Sequence, residues 1–428
     1  MGIDLQIRGR YARFAFLAAD AQTFLTHVQA WWAEHHGELL IERNGFLGLW
    51  NGTPSLGVSI HPCAENVAFT VPQRGFVEVS AKTSTAGPGY HMFVCDALHA
   101  LGDALRIRWD TPHEQSFDEG YYFYTRNSSD IHEEMRKFVR NIARIALTNG
   151  EGNVLQLSMP SDWRFDVPDA YVLTPLGPRD REWLEGASVD GNRGIDLFPW
   201  WHRGAGPHYW LGRALVQMWF EVRWRAPFTE EQTETMREVH AALATAYDAE
   251  QRLTYPWRAW SEIAHWLSLD DELAQTIHAN AASSVQTPLI GYRRHDVTAT
   301  ITEGWSVRVP GAFAQEWDEM TWVAWEPGRR VRVATYTCAG GAPARAAQET
   351  RKLIESQQAE VVTLAEGHSA ALYRTADAWT LQCAVAGDEY SVALLTVTFE
   401  DEAHRDWALA TRQSLRWTSA GAADARDE

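Results

Sequence analysis

The chain has 428 residues, more than one hydrophobic core serves, since single cores stop growing near ~250–300 residues, so two or three domains are expected. An apolar fraction of 45% and a charged fraction of 22% are those of a folded globular protein and exclude disorder except at the ends. The net charge of −18, with no basic run longer than Arg329-Arg330, argues against DNA or RNA, whose phosphates need clustered Lys and Arg, and leaves a basic protein as the partner that charge would favour.

The first element, a strand over residues 5–16, alternates apolar and polar side chains and carries early charges. That stretch lacks the apolar core and small-residue cleavage site of a signal peptide, and no run in the chain approaches the ~20 apolar residues that span a bilayer. The expectation is a soluble cytoplasmic protein with no membrane association. Residues 20–34 place Phe24, His27, Val28, Trp31 and Trp32 at spacings of three and four, a helical stripe. Short strands follow over 45–50, 56–60, 66–70 and 75–81, with turn signals at Asn51-Gly52 and Pro72-Gln73-Arg74-Gly75. Gly87-Pro88-Gly89 opens a helix over 90–105, and a strand over 104–109 closes the unit. Asp130 with Glu133 reads as a capping box starting a helix that runs to 147 and stops at Asn149-Gly150. Strands over 155–159 and 170–174 complete an α+β domain, residues 1–178.

Residues 179–284 are mostly helical, either part of that domain or a small bundle of their own. Pro207 sits where a helix starts, followed by Trp210, Leu211, Ala214, Leu215, Met218, Trp219 and Val222 at helical spacing. Thr229 with Gln232 is a second capping box, and helices over 257–267 and 271–281 follow. The small polar stretch 281–288, ending in Pro288, is a linker. The cysteines Cys63, Cys95, Cys338 and Cys383 are too few and scattered for a disulfide framework and read as buried thiols. Most of the 21 tryptophans are expected in cores and domain interfaces. Among the basic residues only Lys82, Lys137 and Lys352 are lysines, which with the abundant alanine suggests a bacterial, GC-rich coding bias.

The last third, residues 297–418, has a regular order. A strand over 305–309 turns at Pro310-Gly311. Strands over 321–325 and 330–338 are joined by Glu326-Pro327-Gly328-Arg329. Pro343 opens a helix to about 359, and strands over 360–364, 370–374, 378–385 and 389–399 follow, with turns at Glu366-Gly367 and Gly387-Asp388. A helix over 401–415 and a small charged tail, 420–428, expected to fray, end the chain. Antiparallel strands with helices at two points imply a sheet covered by helices. This order, with GWSVRVPGAF near the start and FEDEAHRDWALATRQSLRW near the end, resembles the Mog1/PsbP-like fold shared by DcrB-like proteins and chaperones of type VI secretion effectors. The resemblance covers roughly 120 residues and does not extend to residues 1–290. It implies a domain that binds other proteins and carries no catalytic residues.

Chemistry is most plausible in residues 76–105. A strand feeds a loop with Lys82, Thr83, Ser84, Thr85, Gly87 and Gly89, and a helix follows, so free N–H groups at the helix start could bind an anion. The loop matches neither a Walker A motif nor GxGxxG, and the commoner role of such a loop is to cap its helix. His91, Cys95 and His99 fall at i, i+4 and i+8. The outer two lie about 12 Å apart along the axis at ~1.5 Å per residue, so one metal ion could take only an i, i+4 pair such as His91 and Cys95. Further ligands would have to come from His61, Cys63, His113 or Glu114; otherwise these are ordinary core residues. Cys95 lies mid-helix, where nothing evident makes it a nucleophile. The run Phe198-Pro199-Trp200-Trp201-His202-Arg203-Gly204, with His208, Tyr209 and Trp210, could line a peptide or sugar groove or simply pack as a loop.

The reading is an α+β protein with a non-catalytic protein-binding role in a bacterial cytoplasm. It would be a chaperone, adaptor or immunity protein for a secreted effector or toxin of basic character, with no cofactor. The alternatives are a metal- or anion-dependent enzyme using the Lys82–His99 region and a ligand-binding protein with an aromatic groove around Trp200–Trp210.

Overall fold

The structure, a computed structural model, describes residues 3–12, 19–41, 46–149, 154–159, 163–165, 167, 170–284, 289–302, 304–363 and 369–418. The end of the strand expected over 5–16, Gly150, linker residues 285–288, the Glu366-Gly367 turn and the 420–428 tail lie outside the described residues. The fold is mixed α+β, and the chain divides into two compact units. One comprises Met1–Met159, Pro168–Glu221 and Thr235–Ile290, so it takes in most of the helical middle of the sequence; the other comprises Pro160–Val167, Val222–Glu234 and Gly291–Glu428.

The first unit is built on an antiparallel sheet. Strand β1 (Asp4–Arg10) buries Leu5 and Ile7 by its alternation. Helix α1 (Ala21–His36) starts where the Asp20 carboxylate accepts from the Thr23 N–H at 2.9 Å, and it buries Phe24, Leu25, Val28, Trp31 and Trp32. Strands β2 (Phe46–Trp50) and β3 (Thr53–Val58) form a hairpin about Asn51-Gly52, both with positive φ, the geometry that Asn-Gly turns supply. β4 (Val67–Thr70) and β5 (Phe76–Lys82) continue the sheet, which then passes to β1.

Helix α2 (Pro88–Leu105) follows β5 and is buried along most of its length, from Pro88 to Gly102. It runs to Leu105 and closes at Arg106 in the left-handed region, with the Arg106 N–H bonded to the Gly102 carbonyl, so the expected strand over 104–109 shrinks to β6 (Arg108–Trp109). The pairing order is β2-β3-β4-β5-β1-β6, with β7 (Phe117–Asp118) also on β1, every pair antiparallel. A short helix, α3 (Tyr122–Thr125), leads to α4 (Ser128–Asn149), which buries Ile131, Met135, Val139, Ile142, Ala143 and Ala146.

The start of α4 corrects the capping box expected at Asp130. Asn127 takes that role, its Oδ1 accepting from the Ser129 N–H at 3.1 Å. Asp130 instead accepts from Thr125 and Asn127, and Glu133 pairs with Arg136 and Arg140. Asn127 therefore competes successfully three residues before the cap that the pattern suggested. At Thr229 the second box holds: Gln232 N–H donates to the Thr229 hydroxyl at 3.2 Å, and the Gln232 side chain reaches back to the Phe228 N–H. Helices Arg181–Val189, Pro207–Phe220, Trp257–Trp266 and Glu272–Ser283, with most of helix Glu230–Ala249, also belong to the first unit, with Pro207 at a helix start as its fixed φ favours.

The second unit holds two antiparallel sheets. The smaller runs Arg416–Trp417, Trp305–Pro310, Asp296–Thr302, Trp163–Phe165. The larger runs Ala314–Asp318, Thr321–Glu326, Arg329–Thr337, Ser391–Phe399, Trp379–Ala386, Ser369–Arg374, Glu360–Thr363. Helix Ala342–Gln357 packs Ala342 and Ala346 on Ala384 and Val392, whereas Arg412 of helix Arg405–Ser414 hydrogen-bonds Cys383. Neighbours in a strand point to opposite faces, so the two helices cover opposite faces of the sheet. Cys338 packs on the Ala384 side, so it and Cys383 face apart, and all four cysteines are free thiols. Among the described residues no helix is long and apolar enough to cross a membrane.

Candidate functional site

Strand β5 ends at Lys82, and its continuation delivers Thr83, Ser84 and Thr85 against the start of α2. Thr83 is fixed by β1: its N–H and its hydroxyl both donate to the Ile3 carbonyl, at 3.0 and 3.1 Å. His91 and Cys95, one helical turn apart on α2, face the same buried side. His91 Nδ1 lies 2.8 Å from the Thr83 hydroxyl oxygen, and its Nε2 lies 3.2 and 3.3 Å from the two Asp118 carboxylate oxygens. Cys95 Sγ is 3.6 Å from the same Nε2. The three are 1% (His91), 0% (Cys95) and 5% (Asp118) exposed.

Asp118 is held by local backbone. Its two oxygens accept from the Gly120 N–H at 2.7 Å and the Phe123 N–H at 2.6 Å, which folds 118–123 into a turn that starts α3. A Cβ on Gly120 would fall 2.7 Å from His91 Nε2 and 2.6 Å from an Ile131 methyl, so only glycine leaves room for the imidazole. Burial, with the charges of Asp118 and Asp96 beside it, pushes the Cys95 thiol well above its ordinary value. A thiol so held is a poor free nucleophile, in line with its mid-helix position.

The other expected residues are placed as follows. Lys82 pairs loosely with Glu65 at 3.8 Å. Ser84, Gly87 and Gly89 are buried, and the Gly89 N–H donates to the Trp200 carbonyl at 2.9 Å while Trp200 N–H donates to the Ala86 carbonyl. The two stretches singled out in the sequence therefore pair with each other. A protein carbonyl meets the first turn of α2 where an anion would sit, and a Cβ at Gly89 would land 2.2 Å from the His202 carbonyl oxygen. Trp200 is core rather than an open wall: its ring lies among His61, Tyr90, Phe93 and Tyr209, and its N–H donates to the Gly204 carbonyl. Trp201 is half-buried, stacked on Phe198; His202 and Arg203 are exposed, and Arg203 pairs with Asp96, which Arg126 also holds. His99 bonds the Phe123 carbonyl.

His61 and Cys63 form a second buried pair. His61 Nδ1 accepts from the Cys63 N–H at 3.3 Å and lies 3.2 Å from its sulfur, which puts the ring proton on Nε2; that atom finds no hydrogen-bond partner among the described residues. Burial, reinforced by Arg213, lowers the His61 pKa to about 3, so the ring is neutral. His113 lies near Asp110 on the surface, away from the His91 group. An open cleft of ≈ 510 Å³ lies elsewhere in the first unit, lined by Leu176, Arg179, Asp180, Trp183 and Asp196, and it contains none of the expected residues.

No family model and no curated protein matches the chain. A solved structure of a protein from Bacteroides thetaiotaomicron VPI-5482 is similar to part of it, at 14% identity over 28% of this chain and 48% of that one, with a TM-score of 0.23. That match spans under half of the other protein and carries no argument about fold or role.

Asp118 was not among the residues that sequence reasoning named as ligand or site candidates, and Thr83 was named only as part of the candidate anion loop. Asp118 is 27 positions from His91, and its role rests on tertiary pairing of β7 with β1. The local signal was the Asp118-Glu119-Gly120 run, an Asp that hydrogen-bonds backbone two residues on, which marks a fixed carboxylate. Chemically the trio offers three electron-rich atoms around one point and no route for a substrate, because every member is sealed.

Proposed function

We propose that the protein acts by binding another protein and has no catalytic centre of its own. The observation that carries this reading is the character of its two sheet edges. In the first unit the β2–β3 hairpin, at the sheet's edge, exposes Leu49 by 67% and Trp50 by 70%. In the second, edge strand Ala314–Asp318 and its turn expose Trp317 by 52% and Met320 by 79%. Large apolar side chains in water at a strand edge are a liability that proteins ordinarily blunt with charge or cover. Tryptophan is also the residue most enriched where a few side chains dominate a protein interface. By contrast, the imidazole, thiol and carboxylate groups that meet in the interior are closed to any substrate.

The net charge of −18 fits a basic partner. The resemblance of residues 297–418 to Mog1/PsbP-like domains supports a chaperone, adaptor or immunity role towards a secreted effector or toxin in a bacterial cytoplasm. The test is the affinity for the partner recovered with the tagged chain from its native cell. Trp50→Ser or Trp317→Ser should weaken that complex about tenfold or more, as loss of an aromatic anchor does. A double variant that binds with unchanged affinity refutes the reading.

A further inference from the structure

We propose that His91, Cys95 and Asp118 bind one divalent metal ion of the zinc class, as a structural staple of the first unit. The argument starts from hydrogen atoms. The Thr83 hydroxyl has one proton, and the Ile3 carbonyl at 3.1 Å has no way to interact with that oxygen except by accepting it. With the Thr83 hydroxyl donating to Ile3, His91 Nδ1 at 2.8 Å donates to Thr83 and the Nε2 lone pair faces Asp118; with Ile3 satisfied by the Thr83 N–H alone, the roles reverse and Nε2 carries the ring proton. The Asp118 carboxylate already accepts two backbone N–H bonds, which hold it oriented. In the first arrangement a lone pair faces a carboxylate at 3.2 Å with a sulfur 3.6 Å from the same nitrogen, and a cation among them would satisfy all three.

The cluster is closed either by a hydrogen bond from Nε2–H to Asp118 or by a metal ion held by all three residues. The spacing and the donor set favour the metal. A four-coordinate ion with bonds of ~2.0–2.3 Å separates its ligand atoms by about 3.3–3.7 Å. Nε2 to Sγ is 3.6 Å, Nε2 to the two Asp118 oxygens is 3.2 and 3.3 Å, and the ligand atoms of the three residues all lie within 4.8 Å of one another. His91, Cys95 and Asp118 supply three positions, the second Asp118 oxygen lying too close to the first to take a separate vertex. Proton sharing between His91 and Asp118 gives the thiol no reason to be there.

Imidazole, thiolate and carboxylate together are a zinc ligand set, and closure to solvent separates a structural site from a catalytic one, which keeps a position open. The surroundings are those of ligands held in place: Thr83 orients His91, and Gly120 and Phe123 orient Asp118. The ion would tie β1, α2 and the turn before α3 into one body, compatible with a protein that does no chemistry.

The experiment measures metal in the full chain as purified, and then refolds the chain with cobalt(II) in place of zinc. The expected result is about one zinc per chain, and a cobalt form with near-ultraviolet thiolate-to-cobalt absorption. Cys95→Ser and His91→Asn should each lose that band, Cys338→Ala should keep it, and Thr83→Val should weaken metal affinity about 10–100-fold. Should the ligand variants fail to fold, the wild-type spectrum and the Cys338→Ala and Cys63→Ala controls still decide. The proposal is overturned if folded wild-type chain carries no zinc and shows no thiolate band with cobalt, which leaves the His91–Asp118 proton pair. It is equally overturned if the band survives in Cys95→Ser.

Discussion

Gly120 and His61 show how single residues set the interior of the first unit. Gly120→Ala drives a methyl group towards His91 Nε2 at 2.7 Å and Ile131 at 2.6 Å. Both neighbours are buried and His91 is held by its hydrogen bonds, so the expected loss is about 1–3 kcal/mol in denaturant unfolding, as for other overpacked cores. An unchanged midpoint would mean that the turn after Asp118 gives way easily. His61 predicts an acid sensitivity with a definite sign. Its folded value of about 3 lies below the ordinary 6.5, so between those values the unfolded chain takes up a proton that the folded chain refuses. Stability from a neutral His61 is complete above 6.5 and is lost as pH falls towards 3, by up to about 1.4 kcal/mol per pH unit. Comparing wild type with His61→Gln isolates this contribution: the stability gap between them should move in the variant's favour as pH drops below 6.5. Parallel curves would contradict it.

At the scale of elements, the clearest prediction concerns the junction between α2 and the segment around Trp200. Gly89→Ala should cost about 1–3 kcal/mol or more, because its Cβ meets the His202 carbonyl oxygen at 2.2 Å and Trp200 Cδ1 at 2.4 Å, and backbone cannot step aside cheaply. Thermal unfolding that matches wild type would show the junction to be loose. That junction also marks what sequence can and cannot reveal. Elements with strong local signals were legible: the Asp20-capped helix, the Asn51-Gly52 hairpin, the Pro207 helix start and the long strands of the second unit follow from periodicity and turn chemistry. Short elements were not. Trp163–Phe165 and Phe117–Asp118 are too brief to show alternation and exist because a partner strand pairs with them. His91 and Cys95 were visible as a helical pair, but Asp118 was not, because its place depends on the register of β1 with β7. The pairing of the Gly-rich loop with the Trp200 segment was invisible for the same reason, being a contact between residues more than a hundred positions apart.

For the whole molecule, the distribution of chemistry matters more than any one site. His91, Cys95 and Asp118 meet inside, as do His61 and Cys63, while each large sheet turns apolar side chains outward at an edge, on a chain of strongly negative charge. The proposed partner surfaces are the exposed side chains at these hairpins, and the proposed part of the His91 cluster is to hold the fold. The most direct measurement is site-specific photo-crosslinking in the native cell, with a photoreactive phenylalanine analogue placed at Trp50, at Trp317 or, as a control, at the still more exposed Val189. The account predicts covalent capture of one discrete protein from position 50 or 317 and none from 189. Capture from all three positions alike, or from 189 alone, would contradict it.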